Sequence, residues 1–251
     1  MDFSGRRVLI TGASRGLGRT LAVDLASKGA SVIVNYNRSP KDALAVVAEI
    51  QASGGEAHAV QADVGKSDDV VRLFSEMKGR LGGIDVLINN AGINADSAIL
   101  DLSEGDWDSV IETNLKGPFL CSQQAARLMI SQAKGYGRII NMSANTSLRA
   151  REGSSNYAAS KAGVNALTRA LAVELGSGIT ANTIALGFLD SPLLREVFTA
   201  DHISGVEEQL PSGQLGTFAH VSALVAYLMS DEAAFITGQT IALDGGQTIK
   251  V

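Results

Sequence analysis

A short apolar run with strand character, Arg6 to Ile10, leads directly into Thr11-Gly12-Ala13-Ser14-Arg15-Gly16-Leu17-Gly18, and then into the helical spacing Leu21, Leu25, Ala26. A strand, a glycine-rich turn and a helix start in immediate succession leave few folds open. Gly12 permits the tight turn, Gly16 lets backbone approach a phosphate, and Gly18 allows close packing of helix on strand. The helix N-terminus favours an anion. Alone, such a turn is an ordinary βα connection. With the strand before it and the helix after it, the segment reads as a dinucleotide-phosphate site, with Ser14, Arg15 and Leu17 lying inside the loop.

The same alternation continues along the chain. Strand-like runs fall near 6–11, 31–35, 56–61, 84–89, 136–142, 179–184 and 239–243, and helical patterns near 16–28, 40–53, 67–81, 104–133, 155–176 and 217–230. This order predicts an α/β fold, a parallel sheet with helices on both faces. Ser39-Pro40 and Ser103 with Asp106 read as helix starts. Residues 186–216, broken by Gly187, Pro192, Gly205, Pro211 and Gly213, read as an irregular lid. No Pro/Ser-rich stretch, charge block or repeat divides the 251 residues, so 1–251 is expected to be one domain.

The bulk composition excludes several classes. A formal net charge of −5 without a basic stretch argues against nucleic acid. No run of eighteen apolar residues predicts a membrane span, and the N-terminus lacks an apolar signal core. Cys121 is the only cysteine, which rules out an internal disulfide and fits a reducing, cytoplasmic location. It lies in an apolar helical stretch and reads as core. His58, His202 and His220 show no metal-ligand spacing.

Tyr157 and Lys161 carry the chemical signal. They lie four apart in a helical segment and so share one face. A phenol ionises near pH 10, and a fixed ammonium beside it favours the phenolate, which brings the group toward useful acid–base range. Without the glycine loop the pair would read as a surface tyrosine beside a solvated lysine.

Taken together, these motifs resemble the short-chain dehydrogenase/reductase family, and within it the 3-oxoacyl-carrier-protein-reductase-like subgroup. The loop is Thr11 to Gly18, and Asn89-Asn90-Ala91-Gly92 ends the fourth strand. A helix asparagine stands at Asn114, the Tyr-x-x-x-Lys pair is Tyr157 and Lys161, and Ile236-Thr237-Gly238-Gln239 precedes Asp244-Gly245-Gly246. The resemblance implies a seven-stranded, doubly wound Rossmann sheet and hydride transfer between a nicotinamide and a carbonyl or alcohol. It implies that Tyr157 donates a proton to the ketone oxygen, and that Lys161 lowers the Tyr157 pKa and holds the nicotinamide ribose. It implies that Asn114 anchors a proton-relay water. Asn90, Ala91 and Gly92 would pack against the cofactor, and Asp63-Val64 would contact adenine. A dimer or tetramer, a homotetramer in the fullest form, is also implied.

The position where NAD-using members place an acid at the end of the second strand is Tyr36, followed by Asn37 and Arg38. A carboxylate there would repel a 2′-phosphate, whereas Arg38, with Arg15 as a second cation, can pair with one. NADP(H) is therefore the expected cofactor, with Asn37 and Arg38 in its site.

The chain departs from the family pattern at several points. The family's serine, thirteen residues before the tyrosine, is here Ala144. Loss of one such hydrogen-bond donor costs on the order of 3 kcal/mol in the transition state, about a hundredfold in rate. Ser143 is the adjacent hydroxyl and a candidate for this catalytic role. Neighbouring strand residues point to opposite faces, however, so Asn145, Thr146 and Ser147 also remain open. The family's Pro-Gly after the sixth strand is Leu186-Gly187, and the resemblance puts Gly187, Leu189 and Ser191 against the cofactor. Of the arginines that grip a carrier protein, the second is missing from Glu174-Leu175-Gly176-Ser177-Gly178-Ile179, and Lys134 stands near the first. Arg149 and Arg151 lie in a loop that reads either as solvated surface or as an attraction for an anionic substrate group. Leu193, Leu194, Val197, Phe198 and Ile203 give the lid a partly apolar character. Two readings follow: an NADPH-dependent ketoreductase or alcohol dehydrogenase acting on a small ketone, alcohol or acyl thioester, or a cofactor-binding member of an oligomer with little catalysis.

Overall fold

Seven short runs rich in Val, Ile, Leu and Ala form strands β1 (Arg7–Ile10), β2 (Ser31–Tyr36), β3 (Ala57–Gln61), β4 (Val86–Asn89), β5 (Gly137–Ala144), β6 (Ile179–Leu186) and β7 (Thr240–Leu243). The structure is a computed structural model and describes residues 1–132, 135–176 and 178–249, the side chains of Leu193 and Val197 excepted. The strands pair side by side in the order β3-β2-β1-β4-β5-β6-β7, all parallel. Lys134 and Ser177 lie outside the described residues.

Continuous apolar runs suit strands covered on both faces. Val8 and Ile10 of β1 enter one core with Leu21, Leu25, Val221 and Val225. Leu9 enters the other with Leu73, Phe74, Cys121 and Ala125. Period-two alternation thus assigns helices α1 (Gly16–Ser27), α2 (Pro40–Ala52) and α9 (Phe218–Met229) to one face. Helices α3 (Ser67–Leu81), α5 (Gly117–Ser131) and α6 (Ser155–Leu175) cover the other. Cys121 is fully buried, and burial pushes its thiol up to about 12, so it behaves as the core residue expected.

Two segments differ from the sequence reading. The single helix expected over 104–133 is α4 (Glu104–Ile111), a π-helical turn (Glu112–Lys116) and α5. Asn114 sits in that turn, buried, and its amide leaves the helix to bond other backbone, as a helix-kinking asparagine would. The segment 186–216 is not irregular throughout: it holds α7 (Pro192–Val197) and α8 (Ala200–Gln209). Ser191 and Thr199 cap these helices, accepting from Leu194 N and His202 N. Asp190 N donates to Gly216 O (2.7 Å) and Gly216 N to Phe188 O (3.0 Å), so the two ends of the lid are fastened together.

The strand order reverses between β1 and β4, so the connections leaving their C-terminal ends diverge and open a crevice. In open α/β sheets, ligands bind at this switch point.

Candidate active site

The glycine turn lies at the mouth of that crevice. Gly12 (φ +63°) and Gly16 (φ +55°) occupy the left-handed region that favours glycine. A Cβ on Gly18 would meet Gly12 O at 2.5 Å and Asn90 Nδ2 at 2.6 Å. Asn90 braces the turn, donating to Thr11 O (2.9 Å) and Gly12 O (3.1 Å). The Thr11 hydroxyl accepts from the backbone of Asn90 and Ala91, tying the ends of β1 and β4 together. Asn35, buried at the end of β2, accepts from Gly12 N and donates to Val60 O and Ala62 O. Sequence reading passed over Asn35, although a polar residue inside an apolar strand was the available signal. The side chain of Arg15 does not close the N-terminus of α1, and the space beside Gly16 is open. A dinucleotide phosphate fits this cradle on backbone geometry alone.

From the turn, a cleft of roughly 1570 Å³ runs past the ends of β4, β5 and β6 to the underside of the lid. It brings together Arg15, Gly16, Leu17, Asn90, Gly92, Ser143, Tyr157, Lys161, Gly187, Leu189 and Ser191. Gly12, Ser14, Gly18, Asn37, Arg38, Asp63, Val64, Ala91 and Asn114 do not line it. Gly12 and Gly18 shape the loop from behind. Asn37 and Arg38 are exposed beyond the end of β2. Asp63 closes a turn by accepting from Gly65 N (3.0 Å), and Val64 is buried against Gly117.

Helix α6 places Tyr157 and Lys161 on the cleft wall. The Tyr157 hydroxyl takes no hydrogen bond from the described residues, whereas Lys161 Nζ donates to Met142 O (2.9 Å) and lies 5.6 Å from the Tyr157 ring centroid. Burial brings the Lys161 ammonium down to about 8. Burial, then the carboxylate of Asp96, pushes the Tyr157 phenol above its ordinary value, against an opposing pull from Arg151. Lys161 Nζ is turned toward Met142 O and is not among the charges that shift the phenol, whose direction is set first by burial. A phenol held protonated is an acid, which suits donation rather than abstraction.

Asn114 Oδ1 accepts from Ile93 N (2.8 Å) and its Nδ2 donates to Ile93 O (2.9 Å), anchoring the loop after β4. That loop is also held by Asn156 Nδ2 on Ala95 O (2.8 Å) and by an ion pair between Arg151 and Asp96. Arg151 lines the cleft but is engaged, and Arg149 Nη1 donates to Gln247 O (3.5 Å). Ser143, a candidate for the missing serine's role, is 2 % exposed, and its hydroxyl lies 3.1 Å from Lys161 O and 3.2 Å from Ser147 Oγ. The strand sends it toward α6, as alternation requires. Sequence reading missed Gln247, which reaches the cleft and bonds Asn145. The signal was Asp244, which accepts from Gly246 N, Thr248 N and the Thr248 hydroxyl and folds the chain back toward the site.

Comparison with known proteins agrees with this geometry. Residues 12–248 match the family model described as enoyl-(acyl carrier protein) reductase. The chain is 43% identical over 242 residues to a 3-oxoacyl-[acyl-carrier-protein] reductase of Staphylococcus epidermidis, covering 96% of this chain and 98% of the relative. It is 41% identical over 243 residues to the 3-oxoacyl-[acyl-carrier-protein] reductase of Synechocystis, covering 96% of each. Among solved structures, a gluconate 5-dehydrogenase from Burkholderia cenocepacia in complex with NADP and tartrate superposes with a TM-score of 0.93 at 34% identity, over 100% of this chain and 98% of that one. A seven-stranded parallel sheet, a glycine cradle at its switch point, a Tyr157–Lys161 pair on the cleft wall and relatives of this similarity place the chain in the short-chain dehydrogenase/reductase family of nicotinamide-dependent oxidoreductases.

Proposed function

We propose that this protein is an NADPH-dependent reductase of a small ketone or acyl-thioester carbonyl, able to run in reverse on the alcohol. The observation that carries the reading is the unbonded Tyr157 hydroxyl, held protonated beside buried Lys161 in a cleft that begins at a phosphate cradle. Tyr157 gives its proton to the carbonyl oxygen. Lys161 holds positive charge beneath it and is placed to bind the ribose. Asn114 fixes the Ile93 backbone and orders the proton path to Lys161. When bound, the reduced nicotinamide supplies the hydride that the carbonyl carbon receives.

Arg15 and Arg38 support the choice of NADP(H) over NAD(H): both are exposed at the cradle end, and neither forms an ion pair among the described residues. Tyr36 stands where a repelling acid would otherwise be. The neighbouring gluconate 5-dehydrogenase structure holds NADP, which supports the same choice. Gly12, Ser14, Gly16, Leu17 and Gly18 would hold the phosphates, Asp63 and Val64 the adenine, Asn37 the ribose side, and Asn90, Ala91, Gly92, Gly187, Leu189 and Ser191 the nicotinamide half.

The substrate reading draws on relatives that reduce 3-oxoacyl carrier thioesters and on a structural neighbour that acts on gluconate. The test is NADPH and NADH oxidation over ethyl acetoacetate, acetoacetyl-CoA, cyclohexanone and 5-ketogluconate, with Tyr157→Phe alongside. Turnover with NADPH at least tenfold above NADH, lost in Tyr157→Phe, is expected. Bound NADPH without turnover of any of these would instead support the second reading, a cofactor-binding subunit, for which Ala144 is the specific observation.

The lone buried Cys121 supports a cytoplasmic setting. Phe119 and Ile130 on α5, Val173 on α6 and Phe235 are large apolar side chains left 45%, 61%, 83% and 100% exposed, which supports a dimer or tetramer. Light scattering at micromolar protein should give a mass of two or four chains; a single-chain mass would refute the assembly.

A further inference from the structure

We infer that Asn145 is the residue that holds the substrate oxygen in place of the missing serine, and that Gln247 positions it. The inference rests on the reductase reading above.

Four side chains near Ala144 could supply the donor; two are committed to other bonds and a third is buried. The Ser143 proton is directed at Lys161 O or Ser147 Oγ, both on the α6 side of the strand. Ser147 donates to Ala144 O (2.6 Å) and accepts from Asn165 Nδ2 (2.9 Å). Thr146 lines the cleft, but its hydroxyl is itself buried and takes no hydrogen bond from the described residues. Asn145 differs from all three. Ala144 is the last extended residue of β5 (φ −140°, ψ 157°), and a 3₁₀ turn, Asn145–Ser147, begins immediately after it. Strict alternation of faces therefore ends at Ala144, and Asn145 lines the cleft with Tyr157 and Lys161.

Its amide is held in one orientation. Asn145 Nδ2 donates to Gln247 Oε1 (2.6 Å) from the turn after β7, a residue 102 positions away in sequence. That bond uses one of the two Asn145 N–H groups and leaves the other as a donor in the cleft. Were the two amides turned end for end, Gln247 would donate and both Asn145 N–H groups would be left. A primary amide cannot compete with Tyr157 as an acid, so it keeps its proton while Tyr157 gives up its own. A serine hydroxyl at Ala144 would act in the same way, as a fixed donor to an oxygen on which negative charge develops.

The test compares native protein, Asn145→Ala, Asn145→Asp and Gln247→Met, each with and without Ala144→Ser, using acetoacetyl-CoA and 5-ketogluconate as probes. Asn145→Asp keeps the shape and removes the donor. Both Asn145 variants should lose about a hundredfold in kcat, with NADPH affinity by fluorescence titration unchanged, and Ala144→Ser should restore at least tenfold of that loss. Ala144→Ser in the native chain should change kcat less than about threefold. Gln247→Met should lower kcat by less than Asn145→Ala, and adding it to Asn145→Ala should cost nothing further. Native turnover that survives Asn145→Asp, or a loss that Ala144→Ser does not restore while NADPH affinity holds, overturns the assignment of Asn145 but leaves the reductase reading standing. Bound NADPH with no native turnover overturns both.

Discussion

Lys161 is a charged group almost wholly buried in the cleft wall, with Met142 O as its hydrogen-bond partner. Desolvation brings its pKa down from 10.5 to about 8. Between those values the unfolded chain binds a proton that the folded chain has released, so stability contributed by this site rises with pH. The burial cost is borne in full below pH 8 and relieved as pH approaches 10.5. Urea unfolding of native protein and Lys161→Met at pH 7.5 and 9.5 should show the native chain gaining about 2 kcal/mol relative to the variant. Equal shifts in both proteins would mean that Lys161 is not desolvated. Tyr157 titrates in the opposite sense: a raised phenol pKa stabilises the fold below pH 10 and loses that contribution above it, so the two effects oppose each other only above pH 10 and not between pH 7.5 and 9.5.

At the scale of elements, the glycine turn is a packing solution as much as a binding one. Gly18 lies against Gly12 O and the Asn90 amide, so a methyl there forces β1, α1 and the end of β4 apart. Gly18→Ala should cost about 1–3 kcal/mol in urea unfolding and weaken NADPH binding. Unchanged values for both would show that the loop gives way locally. This element was legible in the sequence because glycine spacing, strand and helix start fall within a single window. The π-helical turn at Glu112–Lys116 was not legible: a helix pattern runs straight through it, and only the bonds of Asn114 to Ile93, a partner distant in sequence, register the bulge. Helices α7 and α8 were hidden by the prolines and glycines that start and interrupt them, since Pro192 at the first turn of α7 reads as a breaker until the Ser191 cap is seen. The Ser143 side chain points to α6 and the Asn145 amide meets Gln247, and neither contact has a local sequence signature.

At the scale of the whole molecule, strand order does the positioning. With β1 and β4 adjacent, the cradle, the Asn90 brace and the loop of Gly92 to Asp96 converge on one edge. β5 and β6 bring Ala144 and Leu186 beside them, and the turn after β7 returns Gln247 to the same cleft. Asn90, Asn145, Tyr157 and Gln247 thus line one cleft because the parallel sheet brings the C-terminal ends of its strands into one row. The lid, fastened at its base by the Leu189–Gly216 bridge, borders the remaining side and turns the apolar side chains of Phe198, Val206 and Leu210 toward the cleft. On the proposed reading, this cleft carries a nicotinamide hydride to a carbonyl, with Tyr157 as the acid. The most direct test is mass spectrometry of the alcohol product after turnover with NADPH deuterated at the transferring position of the nicotinamide. One deuterium on the carbinol carbon from the native chain, and none from Tyr157→Phe, is the predicted result; saturating NADPH with no deuterated product from the native chain would contradict it.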